Sequence, residues 1–357
     1  MAADLILQEN VPLAPLTTLK VGGPARYFVR AENELQIIDG LNFARKKDLD
    51  VLVLGGGSNV LVSDKGFDGL VIQMAMTRLD AKRSAFEKEK NHGPQDLVKV
   101  TIAAGDDWDA FVQFCVENNW AGVECLSGIP GSVGGTPVQN VGAYGQEVSE
   151  TILAVRCIDT TSLEPVRLTN AECGFSYRTS IFNSTAKGRF IVYDVTFQLA
   201  PNGRPKIAYK DLMERFEGET PSLSEVREGV LQIRRAKSMV IDAEDPNRLS
   251  AGSFFKNPIV PNEKYAEIAA ISDAGVPKFE VDATSVKIPA AWLIEQSGFH
   301  KGFRLGNSGI STRHTLAIIN CGGASASEIV ALKETIQAGV EQNFGILLQP
   351  EPVFVGF

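Results

Sequence analysis

The sequence predicts an α+β fold, in which short strands alternate with a few helices along a chain of 357 residues. Three observations support this class. Apolar runs such as 51–54 and 98–103 have the length of strands. Other segments, such as 106–119, show the 3.6-residue apolar period of a helix. A content of 44% hydrophobic and 22% charged residues is typical of a globular protein, and the length allows more than one domain.

Helices are predicted from apolar spacing and from capping residues. Within 106–119, apolar residues recur at i, i+3, i+4, i+7 and i+8, with acids in the first turn, so this face should be buried. Ser222 with Glu225, and Ser325 with Glu328, match the capping-box pattern. Each pair predicts a helix that begins immediately after its serine.

Strands are predicted where β-branched and aromatic residues alternate or form short apolar runs. The polar stretch 81–96 is predicted to be an exposed hairpin loop with no functional role. Glu351 lies between two prolines in the apolar C-terminal run, and a carboxylate buried there without a partner would be costly. The predicted strands are 51–54, 70–74, 98–103, 152–159, 189–199 and the C-terminal run 346–357.

Charge and composition exclude several function classes. A formal charge of −8 and a pI of about 5.2 argue against nucleic-acid binding. The N-terminus lacks a secretory signal and no run reaches membrane-spanning length, so we expect a cytoplasmic protein without membrane insertion. The five cysteines never fall in CxxC spacing, and the three histidines show no ligand spacing. We therefore expect neither a disulfide framework nor a metal site.

Three consecutive glycines follow the first strand in VLVLGGGSNVLVSDKGFDG, residues 51–69. A P-loop would need a following Lys-Ser or Lys-Thr, and a dinucleotide fingerprint would need a following helix, but a strand-like run begins at Val60. A tight turn between strands remains one interpretation. The other is a nest of main-chain N–H groups that binds an anion such as a diphosphate, with Ser58 and Asn59 as further donors.

A second glycine-rich stretch, LSGIPGSVGGTPVQNVGAYG, spans 126–145. One interpretation is a long irregular surface loop. The other is a rigid loop of small residues whose main chain a flat heteroaromatic ring can approach closely. Together the two stretches suggest one extended ligand that carries both phosphates and a ring. On residues alone, structural turns remain the alternative to this ligand site.

These stretches, with LTTLKVGGPARYF, FSYRTSIF, AYKDL, IRRAKSMV, AGSFFKNP, AAWLIEQSGF and LQPEP, resemble the UDP-N-acetylenolpyruvoylglucosamine reductase family along nearly the whole chain. The resemblance implies an FAD-binding domain of the vanillyl-alcohol-oxidase type in two subdomains, followed by an α+β substrate-binding domain. It also implies NADPH as co-substrate and the bacterial cytoplasm as location. The limits expected are 1–77 and 78–230 for the FAD subdomains, 231–345 for the substrate domain and 346–357 for a strand returning to the active site.

The resemblance assigns three catalytic residues. Ser253 matches the family's proton donor, whereas Arg178 and Glu351 match the residues that stabilise the developing enolate. Each has a structural alternative: a strand-start or N-cap serine for Ser253, an arginine in a surface ion pair for Arg178, and a lone, solvated edge-strand acid for Glu351. The runner-up functions are an FAD-dependent sugar or alcohol oxidase of the same fold, and a flavin or nucleotide-sugar binding protein without catalytic activity.

The binding residues implied by the resemblance fall in two groups. Substrate contacts are assigned to Tyr209, on a loop that closes over the substrate in one subtype, and to Lys237, Arg234, Asn257 and His314. At positions 307 and 308 the family resemblance leads us to expect small residues, but this sequence has Asn307 and Ser308. FAD contacts are assigned to Leu54, Gly55, Gly56, Gly57, Ser58, Asn59, Val60, Gly128, Ile129, Pro130, Gly131, Ser132, Gly135, Gln139, Asn140, Gly142, Ala143 and Val195.

The predicted partners follow from this assignment. They are UDP-N-acetylglucosamine enolpyruvate and NADPH, and the protein is expected to be a monomer. Neither glycine loop holds the histidine or cysteine that anchors flavin covalently in oxidases of this fold, and no motif supports attachment at Cys125. We therefore expect FAD to be bound without a covalent link.

Overall fold

The structure is a computed structural model that describes residues 5–79, 86–89, 97–272 and 275–357, with side chains for all of these except 86–89. The chain divides into two compact units. Within the described residues, the first unit comprises 5–11, 25–57 and 68–241. The second comprises 12–24, 58–67 and 242–357.

The described residues contain seven α-helices and twenty strands. The helices are α1 (Glu34–Lys47), α2 (Trp108–Glu117), α3 (Lys210–Arg215), α4 (Leu223–Ala236), α5 (Asn262–Ile271), α6 (Ala290–Gln296) and α7 (Ala326–Phe344). The strands are β1 (Leu7–Pro12), β2 (Pro24–Ala31), β3 (Val51–Leu54), β4 (Val60–Val62), β5 (Phe67–Met74), β6 (Phe86–Glu89), β7 (Leu97–Ala103), β8 (Trp120–Ala121), β9 (Gly142–Ala143), β10 (Gln146–Glu147), β11 (Ile152–Asp159), β12 (Pro165–Thr169), β13 (Phe190–Pro201), β14 (Ile259–Pro261), β15 (Phe279–Glu280), β16 (Ser285–Lys287), β17 (Arg304–Leu305), β18 (Ser308–Ile310), β19 (Ile318–Asn320) and β20 (Val353–Val355).

The first unit contains two main sheets that share one apolar core. The smaller sheet has the order β1-β2-β5-β3, with β3 parallel to β5. The larger sheet has the order β12-β11-β13-β7-β6, and β8 pairs with the end of β13. Ile37 of α1, Ile72 of β5, Ile102 of β7, Phe111 of α2 and Phe197 of β13 are all buried in this core. Burial of so much apolar surface fixes the strand ends from which the glycine-rich loops emerge.

The second unit is built around α6 and α7. Leu293 of α6 and Ile329, Leu332 and Ile336 of α7 are completely buried in its core. Three small sheets accompany these helices, with the orders β14-β16-β15, β17-β18-β19 and β20-β4. The last is a parallel pair in which Val353 of β20 lies opposite Val60 of β4. The C-terminal residues therefore pair with the segment that follows the first glycine loop.

Most local predictions are confirmed. Both capping boxes are present with reciprocal hydrogen bonds, at Ser222 with Glu225 and at Ser325 with Glu328. The predicted helix over 106–119 is α2, and its apolar face is buried except for the half-buried Val116. Each predicted strand before residue 200 is observed, with ends that shift by up to three residues. Four of the five cysteines are buried, and all five are free thiols.

Several elements, among them the helices α1, α3, α5 and α6, differ from the predictions, and one predicted segment lies partly outside the described residues. α1 is absent from the predicted elements, although Asn33 caps its N-terminus and Asp48 ends it in the left-handed conformation. The predicted strand over 346–357 is regular only at Val353–Val355, because the two prolines beside Glu351 cannot donate to a ladder. Of the polar stretch 81–96, only Phe86–Glu89 is described, as a strand antiparallel to β7.

No helix among the described residues combines the length and apolar character needed to cross a bilayer.

Asp64, in the turn after β4, provides a second cap for α7. Its carboxylate accepts hydrogen bonds from the amides of Ala326 (2.7 Å) and Ser327 (2.9 Å) and from the Ser327 hydroxyl (2.6 Å). Partial burial raises the pKa of Asp64, but these hydrogen bonds outweigh it and the net pKa lies below the ordinary value. The carboxylate therefore satisfies orphan amides at the positive end of the helix.

We predict that Asp64→Ala lowers the free energy of unfolding by about 1 kcal/mol at neutral pH, because a helix cap and its charge are lost. The native pKa is depressed, so this contribution is present above the unfolded pKa and is lost as the pH falls through the native pKa. Denaturant unfolding at several pH values measures it. Asp68→Ala, which removes an 86% exposed carboxylate paired with Arg26, should change stability by less than about 0.5 kcal/mol. Equal effects of both substitutions would contradict the capping role.

Candidate functional site

The two glycine-rich stretches meet backbone to backbone in the first unit. A Cβ on Gly55 would overlap Ser132 Oγ, and a Cβ on Gly56 would lie 2.8 Å from Gly131 Cα. Only glycine allows this approach, because any side chain would push the segments apart. The structure thus brings together the two loops that the sequence predicted to serve one ligand.

The second loop is held in place by its own backbone hydrogen bonds. Trp108 donates its amide to the Gly131 carbonyl (3.1 Å), and the amide of Val133 donates to the Asp106 carbonyl (2.9 Å). Gly134 lies against Ala104, where a Cβ would come within 2.5 Å of the Ala104 Cβ. These contacts anchor the loop to the end of β7 and the start of α2.

Several amides in the two loops are left for a ligand. In the described part of the chain, the N–H groups of Gly55, Gly56, Gly131 and Ser132 donate to no protein acceptor. Gly135 faces open space, since a Cβ there would meet only Ser132 Oγ, at 4.0 Å. Convergent main-chain donors beside an open face suit an anion, and each bond to a charged oxygen contributes about 1.5–3 kcal/mol. These residues therefore fit the diphosphate of a dinucleotide cofactor.

Other residues assigned to FAD make contacts that stabilise the protein itself. Asn140 is buried, and its side chain donates to Glu147 (2.8 Å) and to the Ser176 carbonyl (3.1 Å). Leu54 is buried at the end of β3. Val195 is fully buried in β13, opposite Val155 and Ile102, so its side chain packs in the core. Their assignment to the cofactor stays a prediction.

The remaining predicted cofactor residues are distributed over both loops and both units. Gly57 and Gly128 have left-handed φ values of 67° and 72°. The first loop passes from the first unit to the second between Gly57 and Ser58, and Val60 begins β4. Gly142 and Ala143 form β9, whereas Ile129, Pro130 and Gln139 lie half-buried in the second loop.

Cys125 is poorly suited to covalent attachment of a flavin. Its thiol is buried and donates to the Lys206 carbonyl (3.1 Å). Burial raises the pKa of the Cys125 thiol well above its ordinary value, with a further increase from Glu124. The nucleophilic thiolate is therefore strongly disfavoured.

Tyr144, which is absent from the residues predicted from sequence, connects the second glycine loop with residues assigned to the substrate. It forms the two-residue turn of the β9–β10 hairpin with Gly145, and both residues have positive φ, 49° and 84°. This is the geometry of a type I′ turn. The Tyr144 ring meets Tyr209 edge to face, with centroids 5.3 Å apart. The glycine at the second position of the turn is the sequence signal for it.

A positive cluster lies at the end of α4, next to these tyrosines. Lys237 Nζ is 3.0 Å from Asp211 Oδ2, on the helix that begins after Tyr209. Burial lowers the pKa of Lys237, but Asp211 and the two tyrosines raise it more, so the net pKa is raised and the ammonium stays charged. Lys237, Tyr209 and Tyr144 thus share one electrostatic environment that suits an anionic ligand.

Arg234 is buried one turn before Lys237. Its Nη2 donates to the Met239 carbonyl (2.6 Å), and among the described residues its Nε has no hydrogen-bond partner. Burial lowers the pKa of Arg234, with opposing contributions from Tyr144 and Asp109. A guanidinium keeps its proton even so, because its ordinary pKa lies far above neutral pH. A buried positive charge therefore lies below the second glycine loop, where a Cβ on Gly128 would come within 3.3 Å of Arg234 Nε.

Arg178 occupies a strained position in a two-residue turn of the first unit. Ser176 and Thr179 exchange backbone hydrogen bonds of 2.9 and 3.1 Å, and Arg178 between them has a φ of 54°. Left-handed backbone is unfavourable for arginine and persists only where the surroundings enforce it. Arg178 Nη2 donates to the Gly142 carbonyl (2.8 Å), which ties it to the second glycine loop.

Ser253 and Glu351 lie on paired segments of the second unit. The segments that bear them pair antiparallel, through the bonds from Glu351 N to Phe254 O (2.8 Å) and from Lys256 N to Gln349 O (2.9 Å). Asn59 of the first glycine loop donates its side-chain amide to the Glu351 carbonyl (3.3 Å), and its own carbonyl accepts the Val353 amide (2.9 Å). Three segments distant in sequence therefore converge around two of the three predicted catalytic residues.

The other substrate-assigned residues of the second unit have mainly structural contacts. Asn257 Oδ1 accepts the Ala290 amide (2.9 Å) and so caps α6. His314 is half-buried, and its carbonyl accepts the Ala317 amide. The Asn307 amide donates to Glu328, and the buried Ser308 hydroxyl donates to the Leu305 carbonyl. The departures at 307 and 308 thus serve local structure.

Comparison with protein families finds two matches at separate places along the chain. Residues 25–163 match a family described as FAD binding domain, and residues 245–355 match the C-terminal domain of UDP-N-acetylenolpyruvoylglucosamine reductase. The predicted α+β class, with an FAD-binding domain followed by the C-terminal domain of the reductase family, is confirmed. The domain limits at residues 77, 230 and 345 stay predictions.

Individual proteins match nearly the whole chain. UDP-N-acetylenolpyruvoylglucosamine reductase of Thermobifida fusca is 44% identical, over 98% of both chains. The protein of the same name in Cutibacterium acnes is 43% identical, over 98% of this chain and 90% of its own. A solved structure of the reductase from Thermus caldophilus superposes with a TM-score of 0.66 at 24% identity, covering 99% of this chain and all of that one. The structural match supports the fold.

We predict that Gly135→Ala raises the dissociation constant for FAD about tenfold, because the new methyl group enters the open face proposed for the cofactor. The stability of the FAD-free protein should be unchanged or slightly higher, since the methyl meets no close protein atom. Flavin fluorescence titration measures the affinity, and thermal unfolding measures the stability. Gly275→Ala, another open position, is the control and should change neither. Unchanged FAD affinity in Gly135→Ala would show that the cofactor does not bind at this face.

Proposed function

The chain belongs to the UDP-N-acetylenolpyruvoylglucosamine reductase family of oxidoreductases, and on that basis we propose that it reduces UDP-N-acetylglucosamine enolpyruvate to UDP-N-acetylmuramate with NADPH. This reaction belongs to peptidoglycan precursor synthesis, and we propose a cytoplasmic, monomeric enzyme. When bound, FAD would supply hydride transfer between NADPH and the vinyl carbon of the substrate, and Gly55, Gly56, Gly131 and Ser132 are proposed to hold its diphosphate. The observation that carries the proposal is the pairing of the Ser253 and Glu351 segments beside Asn59.

Ser253 is the proposed proton donor to the substrate. Hydride addition to the terminal vinyl carbon leaves carbanion character at the ether carbon, which must then receive a proton. A serine hydroxyl is a weak acid, but a carbanion is a strong base, so a positioned hydroxyl suffices as the donor. Ser253 is half-buried and follows Gly252, whose left-handed φ of 72° shapes the turn before it. This placement supports a hydroxyl that is both fixed and accessible.

Arg178 is the proposed partner of the substrate carboxylate, into which the developing charge delocalises. Its planar guanidinium can donate two parallel hydrogen bonds to a carboxylate. The strained φ of 54° and the bond to Gly142 support a preorganised side chain, which stabilises charge without reorganisation during the reaction.

Glu351 is the proposed hydrogen-bond partner of the same enolic group, in its protonated form. Two hydrogen bonds to its main chain hold its segment, one from Asn59 to its carbonyl and one from its amide to Phe254. The flanking prolines further restrict the backbone on both sides. These restraints support a fixed backbone position for the residue that bears the carboxyl group.

The nucleotide part of the substrate is proposed to bind at the end of α4. Lys237 and the buried Arg234 supply positive charge for the diphosphate, and Tyr209 supplies a hydroxyl. Tyr144 extends this set, because its ring packs against Tyr209. Asn257 and His314 are proposed contacts on family resemblance.

We predict that Ser253→Ala lowers the rate of flavin reoxidation by the enolpyruvyl nucleotide about 100- to 10,000-fold, because the proton donor is lost. Anaerobic reduction of the flavin by NADPH should proceed at the wild-type rate. Stopped-flow absorbance measures both half-reactions. Ser272→Ala removes a hydroxyl that only caps the end of α5 in the same unit, and it should alter neither rate. If the flavin of Ser253→Ala is reoxidised at the wild-type rate, Ser253 is not the proton donor. If the wild-type protein instead oxidises alcohols with oxygen, the oxidase function is favoured.

We predict that Arg178→Lys lowers kcat/KM for the nucleotide about 100-fold, because an ammonium keeps the charge but not the two parallel donors. Steady-state NADPH oxidation with varied nucleotide measures this value. The control is Arg26→Lys, at a 52% exposed arginine paired with Asp68, and it should leave kcat/KM unchanged. If both variants retain wild-type kcat/KM, the carboxylate binds elsewhere.

A further inference from the structure

Asp109 lies at a junction of the first unit to which the proposed function assigns no role. Its Oδ1 accepts hydrogen bonds from the Gly128 amide and from Arg227 Nη1 (2.6 Å). Its Oδ2 accepts a hydrogen bond from Arg227 Nη2 (2.9 Å). The Arg227 side chain is only 12% exposed. One carboxylate thus joins the first turn of α2, the second glycine loop and α4 through a two-point ion pair and a charged hydrogen bond.

α4 also rests directly on the loop at this junction. Gly128 has a φ of 72°, and a Cβ there would come within 2.8 Å of Leu231 and 3.3 Å of Arg234 Nε. Both residues belong to α4, one and two turns after Arg227. The helix and the loop therefore cannot shift independently without breaking either the Asp109 contacts or this close packing.

The charges at the junction are not balanced. Asp109 offers one negative charge to Arg227 and also interacts with the buried Arg234, so the group has a net positive charge. Partial burial raises the pKa of Asp109, but the bonds from Arg227 and Gly128 outweigh it and the net pKa is lowered. Asp109 is therefore ionised near neutral pH, and the excess positive charge lies beneath the loop whose amides face the proposed diphosphate.

We propose that Asp109 is a positioning residue that couples the cofactor site to the substrate site. It fixes the Gly128–Ser132 turn, proposed to bind the diphosphate of FAD, to the α4 end that bears Arg234 and Lys237, proposed to bind the nucleotide. Order imposed on either element by its ligand is then transmitted to the other, so the two ligands bind with positive coupling. The substrate half of this inference rests on the proposed function, whereas the cofactor half does not.

The test compares FAD dissociation constants with and without saturating UDP-N-acetylglucosamine enolpyruvate, measured by flavin fluorescence. In the wild type the nucleotide should tighten FAD binding several-fold. In Asp109→Ala, FAD alone should bind about tenfold more weakly, and the nucleotide should no longer tighten it. A pair that only stabilised the fold would lower the melting temperature and leave the coupling ratio unchanged.

Two further variants separate the contacts of Asp109. Arg227→Gln keeps the bond from Gly128 to Asp109 but removes the ion pair that ties Asp109 to α4, so FAD alone should bind within about twofold of wild type while the coupling ratio falls towards one. Glu228→Gln removes an exposed pair with Arg235 on the same helix, 53% exposed on both sides, and should change neither quantity. If Asp109→Ala does not fold, Arg227→Gln decides the question through the coupling ratio.

The outcomes distinguish this inference from the proposed function. A wild type that binds no enolpyruvyl nucleotide would defeat the proposed function, and FAD affinity in Asp109→Ala would still decide the cofactor half. Wild-type FAD affinity in a folded Asp109→Ala variant would overturn the inference. A coupling ratio preserved in Arg227→Gln would overturn it as well.

Discussion

The contact between two glycine backbones is the constraint on which the rest of the site depends. Gly55 and Gly56 approach Gly131 and Ser132 so closely that no side chain fits between them. The β3–β5 pair fixes one loop, and the β7–α2 connection fixes the other. Because neither loop completes its hydrogen bonds internally, main-chain donors remain available to an anion without any lysine in the loops.

Strained backbone accompanies this contact. Asn140, Tyr144 and Arg178 all have left-handed φ between 45° and 54°, and each belongs to or touches the second glycine loop. Asparagine tolerates this conformation, but for tyrosine and arginine it costs about 1–2 kcal/mol. The hydrogen bonds of Asn140 to Glu147 and to the Ser176 carbonyl hold the region together and offset part of that cost.

The sequence predicts features that depend on neighbouring residues better than features that depend on tertiary packing. The capping boxes, the apolar period of α2 and the strands can each be predicted from a short stretch of sequence. The glycine-rich loops can be recognised in the same way. α1 is hard to predict because Gly40 interrupts its apolar face, and only the structure reveals its close packing against Ile72. The turn strain at Arg178, the Tyr144–Tyr209 contact and the junction at Asp109 arise from tertiary packing. The motifs identify the family, whereas the individual residue roles remain predictions.

The pairing of β20 with β4 has a consequence for how the polypeptide acquires its shape during synthesis. Asn59 and Glu351 are hydrogen-bonded although they lie 292 positions apart, and Gly356 packs so tightly on Gly66 that no side chain could replace its hydrogen. Such distant closure is slow, because loop entropy must be overcome before the contacts form. The second unit must therefore wait until β20 has left the ribosome, with its early segments 12–24 and 58–67 lacking their final neighbours until then.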